Sequence, residues 1–271
     1  MTTNVPKKAV VLAAGFGSRL RPLTDLRPKP LVEVNGTPIL HNALRNLETV
    51  GVEEVTIVVG YRKDAIQYAC GRRFGNLEIR YVESSVFDKT GSAYSLWLAR
   101  DALMQDDMYL LEGDVFFELD ALRYLTLVEA DNVAAVAPFG RSMEGSAVIL
   151  TDSGDIAEVR MRQTAGDRSN GSLQLFKTMN LIRFCGDDLR EIIVPHLDDL
   201  IGRGAVKSYT EELLSDLVQK KCLQIAAARC DDVKWYEIDN ESDLRMAERL
   251  FSPTGTAHGA QNDAPEWSIA G

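Results

Sequence analysis

A glycine turn, a run of cations and two strand-end carboxylates are the residues here whose types and spacing could do chemistry. Gly15-Phe16-Gly17 follows the apolar run Lys8 to Ala14 directly. Glycine lets the backbone approach an anion closely, and a turn there exposes N–H groups that can cradle phosphate. The plain alternative is a bare turn without ligand. A dinucleotide site is disfavoured, because the third glycine of GxGxxG is missing and Arg19-Leu20-Arg21-Pro22 stands in its place. Arg19, Arg21, Arg27 and Lys29 then follow, with Pro22, Pro28 and Pro30 among them. A proline-restricted loop can hold cations at fixed places around a polyphosphate. The alternative is a solvated basic loop.

The carboxylates come next. Met108 to Leu111 reads as a strand that runs into Glu112-Gly113-Asp114. An acid at the C-terminal end of a strand lies where open α/β sheets bind ligands. Trp235-Tyr236-Glu237-Ile238-Asp239 again ends a short apolar stretch in a carboxylate. Asp114 and Asp239, facing one polyphosphate, would suit Mg²⁺, which takes few protein ligands and completes its shell with substrate oxygens. Taken singly, each is equally a helix cap or a turn residue.

The elements that must position these groups follow from periodicity. Unbroken apolar runs ended by glycine, Lys8 to Ala14 and Glu54 to Gly60, predict strands buried on both faces. Leu77 to Val82, Met108 to Leu111 and Val133 to Pro138 add three more. Ile39, Leu40, Ala43, Leu44, Leu47 and Val50 share a helical face closed by Gly51. Helices are also expected over Asp64 to Arg73, Ser92 to Leu103 and Leu119 to Val128. Such alternation specifies a mostly parallel sheet with helices on both faces. In the second half, Ala147 to Leu150 and Ile156 to Met161 flank a turn at Thr151 to Asp155. Gln174 to Phe184 reads as extended, and Leu189 to Ile201, Glu211 to Lys221 and Glu241 to Phe251 as helical. Leu223 to Ala228 and Trp235 to Ile238 read as strands. The polar 163–172 segment is expected to be mobile, and 252–271 to be a flexible tail.

Composition narrows the classes. With 45% hydrophobic and 26% charged residues, the 271-residue chain reads as a globular protein. No stretch reaches the ~18 to 20 apolar residues needed to span a bilayer. The first eight residues are polar and the run after them is too short for a signal-peptide core, so a soluble cytoplasmic protein is expected. The formal net charge of -10 makes non-specific binding of nucleic acid or anionic lipid unfavourable. Cys70, Cys185, Cys222 and Cys230 show no CxxC spacing and the three histidines are not near them, which argues against zinc.

Leu12-Ala13-Ala14-Gly15-Phe16-Gly17-Ser18-Arg19-Leu20, followed by Arg27-Pro28-Lys29-Pro30-Leu31-Val32-Glu33-Val34-Asn35-Gly36-Thr37-Pro38-Ile39-Leu40, closely resembles the signature of the nucleotidyltransferases that make sugar nucleotides and CDP-alcohols. The resemblance runs on through Gly91-Ser92-Ala93, Glu112-Gly113-Asp114 and Trp235 to Asp239, covering about residues 8 to 251. Tyr94-Ser95-Leu96 and Lys177-Thr178-Met179-Asn180-Leu181 look most like the cytidylyltransferases acting on phosphocholine and on phosphonates such as 2-aminoethylphosphonate. The phosphocholine type has paired asparagines where this chain has Gly91 and Ser92. It has aromatic residues where this chain has Met143-Glu144-Gly145-Ser146. The phosphonate type is the nearer match.

That resemblance implies a Rossmann-like, nucleotide-diphospho-sugar transferase-like fold with a small β-rich insertion on the substrate side. It implies one domain over 1–251, with a nucleotide half at about 8–140 and an acceptor half at about 141–251. It implies a Mg²⁺-dependent transfer from CTP to a small phosphonate or phosphomonoester, with no nucleic-acid or membrane partner and with a homodimer allowed. By resemblance Leu12, Ala13, Ala14, Gly15, Gly17, Ser18, Ser84, Gly91, Ser92, Ala93 and Glu112 bind the nucleotide. Arg19 and Lys29 are the catalytic cations, and Asp114 and Asp239 hold the metal. Lys177, Asn180, Glu144 and Glu237 face the acceptor, Glu144 as a partner for a cationic amine. Trp97 and Trp235 are expected in the core. Two other readings stay open: a sugar-1-phosphate nucleotidyltransferase using UTP, dTTP or GTP, and a non-catalytic nucleotide-binding paralogue.

Overall fold

The structure is a computed structural model that describes residues 5–140, 143–164, 166 and 174–252. The tail beyond Ser252 and most of the 163–172 segment lie outside the described residues. The strands are β1 (Lys8–Ala13), β2 (Glu33–Val34), β3 (Thr37–Pro38), β4 (Glu54–Val59), β5 (Arg73–Phe74), β6 (Leu77–Glu83) and β7 (Met108–Glu112). They continue with β8 (Val115–Phe117), β9 (Val133–Pro138), β10 (Gly145–Leu150), β11 (Ile156–Gln163), β12 (Phe176–Phe184), β13 (Ala226–Arg229) and β14 (Trp235–Glu237). The α-helices are α1 (Leu23–Leu26), α2 (Ile39–Val50), α3 (Lys63–Cys70), α4 (Ser92–Leu98) and α5 (Arg100–Leu103). After them come α6 (Asp120–Leu127), α7 (Gly186–Asp188), α8 (Val194–Gly202), α9 (Thr210–Gln219) and α10 (Glu241–Leu250).

The main sheet runs β11-β10-β12-β7-β1-β4-β6-β5, with β9 pairing β12 and β13. Its centre, β7-β1-β4-β6, is parallel, as the alternation of strand and helix predicts. The β10–β11 hairpin joins the same sheet through antiparallel pairing of β10 with β12. The period-2 geometry of β1 explains why helices cover both faces. Ala9, Val11 and Ala13 pack with Leu40, Leu44 and Leu47 of α2. Val10 and Leu12 pack with Leu96 and the α8 and α9 leucines on the other side.

Several boundaries differ: the helix expected over Ser92 to Leu103 divides into α4 and α5, and the strand expected over Leu223 to Ala228 is shorter, at Ala226–Arg229. The helix expected over Asp64 to Arg73 stops at Cys70, because Gly71 takes a left-handed φ of 62° and Arg73–Phe74 pairs with β6. The segment from Leu189 opens with a π turn over Leu189–Ile193 before α8. The proline-rich stretch after Gly17 is not a bare loop: Ser18–Leu20 and Lys29–Leu31 form 3-10 turns around α1. Among the described residues, no helix is long and apolar enough to cross a membrane.

Candidate active site

Sheet register builds the site. β1 and β7 run parallel with Leu12 opposite Glu112, so the glycine loop and Glu112-Gly113-Asp114 leave the sheet side by side. Gly113 N–H donates to Leu12 O at 2.9 Å, and a Cβ at Gly113 would sit 2.9 Å from that oxygen, so only glycine fits. The chain then returns as β8, which pairs antiparallel with β14 and sets Val115 opposite Glu237. Ile238 N–H donates to Asp114 O at 2.9 Å, which brings Asp239 beside Asp114. The backbone of Asp239 is fixed in turn, because its N–H donates to Asp243 Oδ2 at 3.0 Å in the first turn of α10.

The glycine loop is braced on its outer side. Tyr61 N–H donates to Ala14 O at 3.0 Å, and the Tyr61 ring lies 4.2 Å from that of Phe16. Thr24 Oγ1 donates to Gly17 O at 2.9 Å. Gly17 has a φ of 64°, and a Cβ there would fall 2.7 Å from Lys29 Cβ. That glycine therefore makes room for the lysine stem. Gly15 has open space around it and faces the cleft without such a constraint.

The four charged groups converge. Lys29 Nζ lies 2.8 Å from Asp114 Oδ2 and 2.7 Å from Asp239 Oδ1. Arg19 pairs with the same Asp239 oxygen at 2.7 Å while remaining largely exposed. Burial alone would lower the Lys29 pKa, but the charges of Asp114 and Asp239 outweigh it and hold the ammonium above its ordinary value. Burial opposes ionisation of Asp239 too, yet Lys29 and then Arg19 keep its carboxyl below the ordinary range. Asp114 Oδ1 is buried and has no hydrogen-bond partner among the described residues.

These groups border a cleft of about 390 Å³. Of the residues expected at the nucleotide, Leu12, Ala13, Ala14, Gly15, Gly17, Ser18, Gly91, Ser92 and Glu112 line it. Glu112 is held well above the usual carboxylate range, first by burial and then by the charges of Glu211, Asp114 and Glu237. Ser84 and Ala93 are not in the wall. Ser84 is fully buried just past the end of β6, with its N–H on Val59 O of β4, and Ala93 is buried with its N–H on Ser208 O. A second cavity of about 840 Å³ adjoins the first and shares Arg19, Tyr209, Glu211, Glu237 and Asp239 with it. Glu144 and Lys177 line this second space. Lys177 is 3% exposed and ion-paired with Glu237 at 2.7 Å.

Asn180 is on neither wall. It adopts a left-handed φ of 55° inside β12, where the register with β9 shifts, and its Nδ2 reaches Glu237 Oε1 at 3.5 Å. Trp235 is core, as expected, and also backs the second cavity. Trp97 is half-buried on the surface, its Nε1 donating to Asp198 at 2.7 Å. Phe87, Thr90, Tyr209 and Glu211 line the first cavity unforeseen. A single aromatic in the polar stretch Glu83 to Gly91 was a signal for Phe87. Glu211 carries no local signal, since an acid in a first helical turn is ordinary dipole chemistry.

Among the described residues, no three His, Cys, Asp or Glu side chains gather as a metal cluster. A hard divalent ion that leans on substrate oxygens needs only one or two carboxylates. Asp114 and Asp239 are such a pair, and the orphaned Asp114 Oδ1 is an acceptor that a cation would satisfy.

Residues 8–144 match the family model described as Nucleotidyl transferase. The chain is 39% identical over 252 residues to a CMP-5'-(3-aminopropyl)phosphonate synthase of Streptomyces rubellomurinus, covering 92% of this chain and 39% of that protein. It is 38% identical over 112 residues to a 2-aminoethylphosphonate cytidylyltransferase of Lancefieldella rimae, covering 40% of this chain and 42% of that protein. The matched stretches thus cover about two fifths of each of these two relatives. Among solved structures, the CTP:phosphocholine cytidylyltransferase of Streptococcus pneumoniae superposes with a TM-score of 0.73 at 21% identity, covering 91% of this chain and 99% of that one. At that identity the likeness concerns the fold.

Proposed function

This chain belongs to the nucleotidyl transferase family, and we propose that within it the protein is a cytidylyltransferase. It would transfer CMP from CTP to a small phosphonate or phosphomonoester and release pyrophosphate. The observation that carries the reading is the convergence of Lys29, Arg19, Asp114 and Asp239 at the mouth of the glycine loop, between two adjoining cavities. The similarity to enzymes named for phosphonate cytidylyl transfer supports the choice of substrates.

In this reading the smaller cleft takes the nucleotide and the larger takes the acceptor. An acceptor oxygen forms a bond to the α-phosphorus of CTP as the α–β anhydride bond breaks and pyrophosphate leaves with its electron pair. The attacking oxygen is already ionised at neutral pH, so the residues need not remove a proton. Both reactants are anions, and the work of the site is alignment and charge neutralisation. Arg19 and Lys29 supply positive charge beside the glycine loop. Lys177 supplies it in the acceptor space, where Asn180 and Glu237 hold it in place. Asp114 and Asp239 would hold Mg²⁺, which when bound adds Lewis-acid polarisation of phosphate oxygens. Glu144 and Glu237 are walls of the acceptor space.

The test is pyrophosphate release from CTP, UTP, dTTP and GTP against a panel of phosphonates, phosphocholine and sugar 1-phosphates. CTP with a phosphonate or phosphocholine is expected to be fastest. Faster turnover of UTP, dTTP or GTP with a sugar 1-phosphate would move the protein to the sugar-nucleotide branch. Nucleotide binding without turnover of any pair would make it a sensor.

A further inference from the structure

We propose that Glu211 is the specificity residue of the acceptor cavity, and that it binds a cationic amine carried by the acceptor. This rests on the cytidylyl-transfer reading above and adds the acceptor's second charge to it.

The cavity beside the nucleotide cleft is unusual for one that must receive an anion. Its wall holds Glu144, Glu211, Glu237, Asp239 and Asp243 against Arg19, Arg162 and Lys177. Most of the acids at the seam are already answered. Glu237 pairs with Lys177 at 2.7 Å, and Asp239 with Lys29 and Arg19 at 2.7 Å each. Asp243 accepts the N–H groups of Asp239 and Asn240, both at 3.0 Å. Glu211 has no cation among the described residues; its partner is the neutral hydroxyl of Ser146, at 3.2 Å. It also lies in the walls of both cavities, where an acceptor with its anionic end at the α-phosphate would place the other end of a short chain. Glu144 lines the outer cavity only.

The position of Glu211 is built, not incidental. It is the second residue of α9, and the residue before it is pinned. Thr210 N–H and Oγ1 both reach Ser92 Oγ, at 2.8 and 3.1 Å. Tyr209 N–H donates to Glu212 Oε2 at 3.0 Å in a capping box. Gly91 N–H donates to Val206 O at 2.9 Å, and a Cβ at Gly91 would come within 2.1 Å of Ser208 O. The start of α4 and the start of α9 are therefore locked together. Ser92, foreseen as a nucleotide contact, spends its hydroxyl on this lock. Ser146, 6% exposed, fixes the carboxylate from the β10 side.

A carboxylate so held, with no ion-pair partner among the described residues, favours an acceptor that brings a cation. A charge-assisted hydrogen bond from an ammonium would satisfy it. A neutral or purely anionic acceptor would leave it desolvated and unanswered, which selects against sugar phosphates and simple alkylphosphonates.

The experiment compares 2-aminoethylphosphonate with ethylphosphonate, following pyrophosphate release from saturating CTP. The parent is expected to prefer the amine. Glu211→Gln should lower kcat/KM for the amine about ten- to a hundredfold, mainly through KM, and lower it much less for ethylphosphonate, so that the amine preference collapses. Glu211→Asp, which keeps the charge, should recover part of the preference that Gln loses. A parent-like circular dichroism spectrum and a cooperative thermal transition establish that each variant is folded. Equal loss on both acceptors, or an undiminished amine preference in Glu211→Gln, overturns the assignment. A parent that uses both acceptors equally overturns it as well, while leaving cytidylyl transfer standing. A parent that releases no pyrophosphate from CTP with any phosphonate or phosphomonoester removes the functional reading itself, and the assignment with it.

Discussion

The ammonium of Lys29 lies 2.8 Å from Asp114 Oδ2, while the other oxygen of the same carboxylate is buried without a partner among the described residues. One half of this acid is thus answered by the protein and the other half is not. Lys29 also holds Asp239, and so serves as the counter-ion of the proposed metal pair.

Replacing Lys29 with Met should therefore expose the mutual repulsion of two carboxylates. The expected loss of stability is about 1–3 kcal/mol, below the ~3–5 of a fully buried pair because the three side chains keep 13–23% exposure. A divalent cation can substitute for the missing ammonium. Thermal denaturation with and without Mg²⁺ should show a larger stabilisation by Mg²⁺ in Lys29→Met than in the parent. A smaller one would remove Asp114 and Asp239 as joint metal ligands.

Asp114→Asn and Asp239→Asn should each lower kcat by about 10²- to 10³-fold at saturating Mg²⁺, since one electrostatic contact at such a centre has that weight. They should differ in stability. Asp239 alone pairs with two cations, and its folded-state pKa is depressed below 3.8 because Lys29 and Arg19 overcome the cost of burial. Its stabilisation is present above pH 3.8 and is lost as pH falls through the folded value. The Tm gap between parent and Asp239→Asn should be widest near neutrality and close in acid. A gap that does not vary with pH would mean that Asp239 contributes through packing rather than charge.

Much of this site could be read from local signals. The apolar run of β1, the glycines after it and the acid ending β7 each follow from periodicity and residue type, and the parallel register then sets Leu12 opposite Glu112. The pairing of β8 with β14 could not be read locally, because nothing near Val115 specifies a partner at Glu237. That pairing alone turns two strand-end acids into a site. Asn180 lies off both cavity walls for a related reason: alternation along β12 assumes an unbroken ladder, and the left-handed turn at Asn180 breaks it. Glu211 was invisible because the contact that locates it, Thr210 to Ser92, joins residues 118 apart.

Gly17→Ala tests how the loop positions the cation. The added Cβ would lie 2.7 Å from Lys29 Cβ, at a φ of 64° that L-residues rarely adopt. The strain should cost about 1 kcal/mol or more in stability. The displaced Lys29 should lower kcat further than this loss of stability explains. Kinetics on folded protein, below its transition temperature, separate the two effects. Parent-like kcat in a destabilised but folded variant would show that Lys29 does not need this seat.

Arg19→Lys addresses whether the exposed cation acts in the reaction or only in binding. Arg19 shares the Asp239 oxygen with Lys29, yet most of its side chain is in solvent, so its loss should barely move Tm. If it stabilises charge on the α-phosphate and the leaving pyrophosphate, its contacts strengthen as the anhydride breaks, and kcat must fall. A lysine is a point charge and cannot replace a planar fork that grips two oxygens, so even this charge-conserving change should lower kcat. An unchanged kcat with a raised KM for CTP would reduce Arg19 to a binding group.

The last expectation concerns Glu112, which stands between the two cavities' acids. Burial first, then Glu211, Asp114 and Glu237, raise its pKa well above 4.5. An acid whose folded pKa is raised holds a proton in the native state that the unfolded chain gives up, so stability falls as pH rises from 4.5 through the folded value. Below pH 4.5 both states are protonated and the penalty vanishes. Glu112→Gln removes the ionisation at nearly constant volume. The variant should match the parent in Tm at acid pH and exceed it at higher pH, by on the order of 2 °C for each kcal/mol relieved. Scanning Tm against pH for both proteins decides the point. A constant offset, or a parent that gains on the variant as pH rises, would mean that Glu112 is ionised at little cost and that a partner in the cleft already satisfies it.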